Sequence, residues 1–117
     1  MESKSLELAK PFLGREVEVI IDRPLGAKHP KFGFTYRVNY GYIAGVMAPD
    51  GKELDAYYME AHKPLQKATG TVIAIAHRTN DDDDKLIVVP TGTTMTDAEI
   101  IDAINFQEQW FQMEIVR

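Results

Sequence analysis

Two acidic segments carry the residue types best suited to holding a metal ion. The first reads Asp-Gly-Lys-Glu-Leu-Asp over residues 50–55, and the second reads Asn-Asp-Asp-Asp-Asp-Lys over residues 80–85. Magnesium prefers oxygen ligands, and in proteins it usually takes one or two carboxylates together with water and substrate phosphate. Carboxylates converging from two loops would therefore suit a magnesium ion around a phosphate-bearing ligand.

Both segments also fit a simpler interpretation as solvated surface turns. Asp50 belongs to a Pro-Asp-Gly sequence, which is common in turns, and a run of like charges usually faces water. Four adjacent aspartates at 81–84 nevertheless repel one another, and this repulsion favours a cation nearby. The residues alone leave the two interpretations open.

Composition limits the classes of protein to which the chain can belong. With 117 residues, 44% of them apolar and 26% charged, it predicts one domain over residues 1–117 with a real core. The absence of cysteine leaves any metal to oxygen or imidazole ligands, and the net charge of −5 argues against nucleic acid as a partner. Without a long apolar run or a secretion signal, we expect a cytoplasmic protein that binds no membrane.

Short elements must position these acidic segments. A short helix is predicted at Ser5–Ala9, and residues 23–33 have the composition of a surface loop. The patterns predict five or six short strands, with candidates at Glu16–Asp22, Phe34–Val38, Tyr42–Met47, Leu54–Glu60, Thr71–His77 and Leu86–Val89.

The C-terminal region has the pattern of an amphipathic helix. Thr96 stands three residues before Glu99, a capping-box spacing that predicts a helix running to about Phe111. Ile100 and Ile104 lie on its apolar face, and Trp110 and Phe111 extend that face, which predicts that they belong to the core. Together these elements indicate a mainly β (α+β) fold, a small antiparallel OB-like β-barrel with one C-terminal amphipathic helix.

Three segments follow one another at a spacing that resembles a known family. They are Asn-Tyr-Gly-Tyr at 39–42, the acidic segment 50–55, and Asp-Asp-Lys-Leu-Ile-Val-Val-Pro at 83–90. In this order they resemble the soluble, magnesium-dependent inorganic pyrophosphatases of family I. The resemblance covers roughly residues 17–90, and the C-terminal helix is similar in placement.

The resemblance implies hydrolysis of inorganic pyrophosphate, or of a related small phosphoanhydride, with Mg²⁺ as the cofactor and with identical subunits assembled into an oligomer. It implies that metal is bound by Asp50, Asp55 and Asp83. The remaining acidic position would be filled by Asp81, with Asn80 and Asp82 as alternatives.

The resemblance also assigns the phosphate contacts and reveals one important departure. Tyr40 and Lys85 would contact phosphate oxygens, and Lys28 would replace an arginine that does the same in the family. Lys52 falls where the family carries an aspartate that helps to activate the attacking water, a duty that Glu53 could take over. The implied catalytic residues are therefore Glu53, Asp55, Tyr40 and Lys85. A second hypothesis, which Lys52 supports, is a protein that binds metal and phosphate without useful turnover.

Overall fold

Strands that close into a barrel form the body of the chain in the computed structural model, which describes residues 4–47 and 51–117. The strands are β1 (Glu16–Arg23), β2 (Asn39–Met47), β3 (Glu53–Tyr58), β4 (Lys67–Arg78), β5 (Lys85–Val89) and β6 (Met113–Val116). The helices are α1 (Lys4–Ala9), a 3₁₀ turn at Lys10–Phe12, and α2 (Asp97–Glu108).

The first five strands pair in the order β1-β2-β3-β5-β4, and β4 pairs again with β1 to close the ring. All of these pairs are antiparallel except β3 with β5, so the barrel is mixed rather than wholly antiparallel. The parallel pair arises because β5 returns antiparallel to β4 and fits between β4 and β3. The predicted small OB-like barrel is confirmed, with this one change in strand direction.

Strand β5 separates two apolar cores, which explains why all five of its residues are buried. Leu86 and Val88 belong to the cluster inside the barrel, which also includes Leu6 of α1. Ile87 and Val89 point the other way and pack in the cluster that contains Ile100 and Ile104 of α2. A strand covered on both faces has no reason to alternate apolar and polar side chains.

Helix α2 begins as its sequence predicts, but it ends earlier. The hydroxyl of Thr96 accepts a hydrogen bond from the backbone N–H of Glu99, and the Glu99 carboxylate accepts one from the backbone N–H of Thr96. The helix ends at Glu108, so Trp110 lies beyond it, and its side chain is 60% exposed. The prediction that Trp110 belongs to the core is wrong. The chain then forms β6, which the sequence analysis did not predict.

The predicted strand Phe34–Val38 is also wrong. Thr35 forms only an isolated bridge with Lys28, and Tyr36 exchanges backbone hydrogen bonds with the loop at Gly26 and Ala27. The segment therefore folds back against the loop that follows β1 instead of entering the barrel.

The structure explains why asparagine and glycine stand at two positions of the Asn-Tyr-Gly-Tyr segment. The buried Asn39 side chain accepts hydrogen bonds from the backbone N–H groups of Leu25 and Leu65, which ties the loop after β1 to the barrel. A Cβ atom on Gly41 would stand 1.8 Å from the backbone oxygen of Ile20, so only glycine allows β1 and β2 to pair here. Within the described part of the chain, no helix is long and apolar enough to cross a membrane.

Candidate functional site

An open cavity of about 870 Å³ lies between the loop after β1 and the C-terminal end of α2. Its charged lining residues are Asp22, Arg23, Lys52, Asp55, Arg78, Asp83 and Lys85. The rings in its lining are those of His29, Phe32, Phe34, Tyr36, Tyr40, Trp110 and Phe111. Among the described residues, this lining has four cations and three carboxylates, and the charge of Arg78 is compensated by the buried Glu108. Arg23, Lys52 and Lys85 place positive groups on the cavity wall, where an anionic ligand can contact them.

Four of these side chains, Tyr40, Asp55, Asp83 and Lys85, form what we call the charged cluster. The Lys85 ammonium donates to Asp55 Oδ2 at 2.7 Å and to Asp83 Oδ1 at 2.8 Å. The Tyr40 hydroxyl donates to the same Asp55 oxygen at 2.8 Å. The two carboxylate side chains are each 30% exposed and that of Lys85 only 3%, so the carboxylates remain accessible from the cavity.

Burial favours the protonated form of the Tyr40 hydroxyl. It raises the pKa of Tyr40 well above its usual value, and the neighbouring Asp55 carboxylate raises this pKa further. Tyr40 is therefore uncharged, and its single O–H is donated to Asp55.

A buried network holds Arg78 behind the charged cluster. Its Nε and Nη2 atoms donate to the two oxygens of Glu108, both at 2.9 Å, and its Nη1 atom donates to Asp83 at 3.2 Å. Burial opposes the charge on Arg78, but the hydrogen bonds and charge of Glu108 outweigh it and raise the pKa of the guanidinium. Tyr57 donates to Glu108 at 2.6 Å, which joins α2 to β3.

Asp22 and Arg23 extend the site at the end of β1. Partial burial raises the pKa of Asp22; the Arg23 guanidinium opposes this shift, and the Asp55 carboxylate adds to it. Arg23 donates to the Tyr36 hydroxyl at 3.2 Å, and that hydroxyl donates to the Gln107 side chain at 2.8 Å. Asp22 thus places a carboxylate with a raised pKa on the cavity wall.

The aspartate run separates into residues with different surroundings. Asp81 and Asp82 are exposed, and the Asp82 carboxylate accepts a hydrogen bond from the backbone N–H of Ser5. Asp83 lines the cavity, whereas Asp84 is buried and pairs with His77 Nδ1 at 3.0 Å. Burial raises the pKa of Asp84, and its hydrogen bond with His77 opposes this shift. His77 thus compensates the buried Asp84 carboxylate.

The remaining predicted site residues lie away from the cavity lining or outside the described chain. Glu53 does not line the cavity, and its charge acts on Asp22. Lys28 is exposed in the loop and also does not line the cavity. Asp81 lies 3.6 Å from Arg78 Nη1 but is likewise not part of the lining. Asp50 lies outside the described residues.

Sequence reasoning missed several side chains that shape the site. Glu108 follows Ile100 and Ile104 at four-residue steps, so its position on an apolar stripe could have indicated a buried ionic partner. Arg78 ends a strand whose second half is rich in apolar residues, which is a similar signal. Asp22 and Gln107 carry no comparable signal in their local pattern.

The carboxylates of the charged cluster fit magnesium only together with oxygen ligands from a bound phosphate. Among residues 4–47 and 51–117, no group of three or more His, Cys, Asp or Glu side chains is arranged to hold a metal ion. Magnesium does not need such a cage, because one or two carboxylates suffice when the ligand's phosphates complete the coordination. Asp55 and Asp83, which share the Lys85 ammonium and reach the cavity, fit that simpler arrangement.

Comparison with solved structures identifies the class of fold. The chain is similar to the inorganic pyrophosphatase of Helicobacter pylori, with a TM-score of 0.68 and 14% identity over 87% of this chain and 84% of that one. The pyrophosphatase of Ehrlichia chaffeensis gives a TM-score of 0.66 and 16% identity over 87% of this chain and 85% of that one. The inorganic pyrophosphatase of Neisseria gonorrhoeae gives a TM-score of 0.63 and 20% identity over 80% of this chain and 72% of that one.

These likenesses define an OB-like barrel of the kind found in inorganic pyrophosphatases. The chain has a pyrophosphatase-like fold, as the resemblance predicted. No protein-family model and no curated protein sequence matches the chain.

Proposed function

We propose that the chain hydrolyses inorganic pyrophosphate, or a related small phosphoanhydride, as its magnesium complex in the cavity. The observation that carries the proposal is the convergence of Tyr40, Asp55, Asp83 and Lys85 in one cavity of a chain with a pyrophosphatase-like fold. A phosphoryl transfer needs charge neutralisation and a positioned water more than it needs a covalent nucleophile. These four side chains, with the cations around them, are suited to that task.

In this proposal Asp55 and Asp83 hold the metal, and Asp50 and Asp81 are the further ligands that the resemblance implies. When bound, magnesium would neutralise phosphate oxygens and make a water molecule more acidic. The fit rests on two carboxylates that open to the same cavity and lie within 2.8 Å of one shared ammonium.

The chain's own cations would bind the phosphates. An ammonium has three N–H donors, and Asp55 and Asp83 each accept one from Lys85, which leaves the third for a phosphate oxygen. Arg23 and Lys52 line the same cavity and supply further positive charge to the leaving phosphate. Tyr40 orients Asp55 through its single O–H, and it would donate to a phosphate oxygen only by releasing Asp55.

Asp22 is the side chain best suited to take the proton of the attacking water. It lines the cavity and its pKa is raised, whereas Glu53 acts on Asp22 electrostatically and not on the cavity itself. In this proposal Asp22 therefore replaces Glu53 as the base, and Glu53 supports it by helping to raise its pKa.

The direct test is release of phosphate from pyrophosphate in the presence of magnesium. Asp55→Asn should abolish release, because it removes the negative charge of the carboxylate that is proposed to hold the metal and that accepts hydrogen bonds from Tyr40 and Lys85. Asp102→Asn changes an exposed aspartate of α2 that does not line the cavity, and should leave the rate unchanged. An unmodified chain that releases no phosphate, or an Asp55→Asn variant that keeps the full rate, contradicts hydrolysis.

Lys52 favours a second candidate function, binding of the metal and phosphate without useful turnover. This cation lines the cavity at the position where the family resemblance implies a catalytic aspartate. The second candidate predicts that pyrophosphate with magnesium raises the melting temperature while no phosphate is released. Lys52→Asp separates the two further, since it should increase release if Lys52 is what limits turnover, and decrease release if Lys52 contributes to catalysis.

A further inference from the structure

Aromatic rings form a continuous path from the charged cluster to the solvent. The Tyr40 ring stacks with Tyr36 at 5.4 Å between centroids, and Tyr36 stacks with His29 at 6.4 Å. His29 in turn stacks with Phe32 at 5.0 Å and contacts Phe34 at 4.8 Å. We call His29, Phe32, Phe34, Tyr36 and Trp110 the aromatic wall. It begins where the hydroxyl of Tyr40 meets Asp55.

Two members of the aromatic wall are exposed in a way that folding does not explain. Phe32 is 69% exposed and Trp110 is 60% exposed, and both line the cavity. Trp110 contacts Phe34 at 5.4 Å, so the end of α2 and the loop after β1 contribute rings to the same surface. Exposed apolar side chains bordered by charged groups are typical of binding sites.

Inorganic pyrophosphate has no ring and no cationic group that could stack on the aromatic wall. The face of an aromatic ring carries negative electrostatic potential, which disfavours a small anion and favours a second ring or a cation. The cavity, at about 870 Å³, also falls in the range of about 300–1,000 Å³ that is typical for organic ligands. Both features indicate a ligand that extends beyond its phosphates.

We propose that the ligand is a phosphoanhydride that carries a planar aromatic ring, of the class of nucleoside 5′-diphosphates. Its phosphates bind at the charged cluster, and its ring stacks on the aromatic wall between Phe32 and Trp110. The charge arrangement fits this orientation, because Lys85 and Arg78 lie at the carboxylate end and Arg23 lies against Tyr36, 5.9 Å from its ring centroid. This inference rests on the phosphate site of the proposed function and adds the rest of the ligand.

Trp110 provides the first readout, because it is the chain's only tryptophan. Adenosine 5′-diphosphate and inorganic pyrophosphate, each with magnesium, are titrated into the protein while its fluorescence and the heat of binding are followed. We expect the nucleotide to quench Trp110 and to bind at least tenfold more tightly than pyrophosphate, as stacking of a base on aromatic side chains implies.

Variants of the exposed rings provide the second readout. Phe32→Ala and Trp110→Ala remove side chains that are mostly in solvent, so each variant should fold. Each should weaken nucleotide binding about tenfold more than it weakens pyrophosphate binding. Ile101→Ala is the matched control, because Ile101 is a 42% exposed apolar residue of α2 that does not line the cavity. It should change neither affinity.

Equal affinities for the two ligands, or equal losses for both in Phe32→Ala and Trp110→Ala, would overturn the inference. Phosphate release is measured on the same samples, so that the two proposals fail separately. If pyrophosphate is hydrolysed but the nucleotide gains nothing from the rings, only the aromatic ligand is excluded. If the nucleotide binds through the rings and neither ligand releases phosphate, hydrolysis is excluded and the ligand class stands. If neither ligand binds, both proposals are wrong.

Discussion

Removing the negative charge of Glu108 should destabilise the whole fold. Glu108 is 3% exposed, and both of its oxygens accept hydrogen bonds from Arg78, which is 5% exposed. Glu108→Gln keeps the shape of the side chain but leaves the guanidinium in a buried place with less compensating charge. Its amide also presents N–H donors to the donors of Arg78 and Tyr57.

The structure sets the size of the expected effect. Breaking a buried ion pair by removing one partner costs about 3–5 kcal/mol. Asp83, at 3.2 Å from Arg78 Nη1, still compensates part of the charge, so we expect the lower end, about 3 kcal/mol. For a chain of this length that loss lowers the melting temperature on the order of 10 °C.

Urea unfolding measures this loss directly. Glu114→Gln, which changes an exposed glutamate on β6, should alter the free energy of unfolding by no more than about 0.5 kcal/mol. The double variant Arg78→Met with Glu108→Leu should recover more than half of the loss, because neither charge is then buried alone. If Glu108→Gln lowers the free energy of unfolding by less than about 1 kcal/mol, the Arg78–Glu108 pair behaves like a solvent-exposed ion pair and the reasoning is refuted.

Three further predictions concern the site and the strand beneath it. Asp22→Asn should remove the acid limb of the pH profile of kcat/KM, because a base acts only when it is deprotonated. The pKa of Asp22 is raised, so the activity of the unmodified chain should fall at a higher pH than it would with an ordinary aspartate. An unchanged profile in the variant excludes Asp22 as the base. Tyr40→Phe should slow phosphate release on the order of tenfold. It should lower the free energy of unfolding by only about 1 kcal/mol, because Lys85 still compensates Asp55. A full rate would show that the hydroxyl does not contact the substrate. Gly41→Ala should lower the free energy of unfolding in urea by about 3 kcal/mol, because the new Cβ atom would collide with backbone and not with a movable side chain. A loss of less than about 1 kcal/mol would contradict the close approach of β1 and β2.

The sequence predicted those features that depend on local pattern. Strands β1 to β5 and the start of α2 are read from β-branched runs, turn residues and a capping box, all of which act over a few residues. The failed strand Phe34–Val38 shows the limit of that reasoning. Tyr36 and Val38 are buried and alternate with exposed Thr35 and Arg37. The segment is nevertheless no strand of the barrel, because the loop from Gly26 takes the backbone hydrogen bonds of Tyr36.

The polar network of the site could not be predicted in the same way. Arg78 and Glu108 are 30 positions apart, and Tyr36 and Gln107 are 71 positions apart. A single polar residue has the same local signal whether it faces water or a buried partner, and only the folded chain decides which of the two applies. Asp83 and Asp84 illustrate this, since neighbouring aspartates face the cavity and the interior respectively.

The position of Lys52 and the exposed aromatic rings point in one direction. If Lys52 stands in place of an aspartate, the local charge changes by two units, which equals the charge of one divalent cation. In the proposed function, the ammonium of Lys52 then neutralises part of the phosphate charge, and the two accessible carboxylates of the charged cluster suffice for magnesium bound together with its phosphate ligand. The exposed rings of Phe32 and Trp110 add apolar surface to the same cavity. A site with an added cation and more aromatic surface suits a ligand that is held by its ring as well as by its charge.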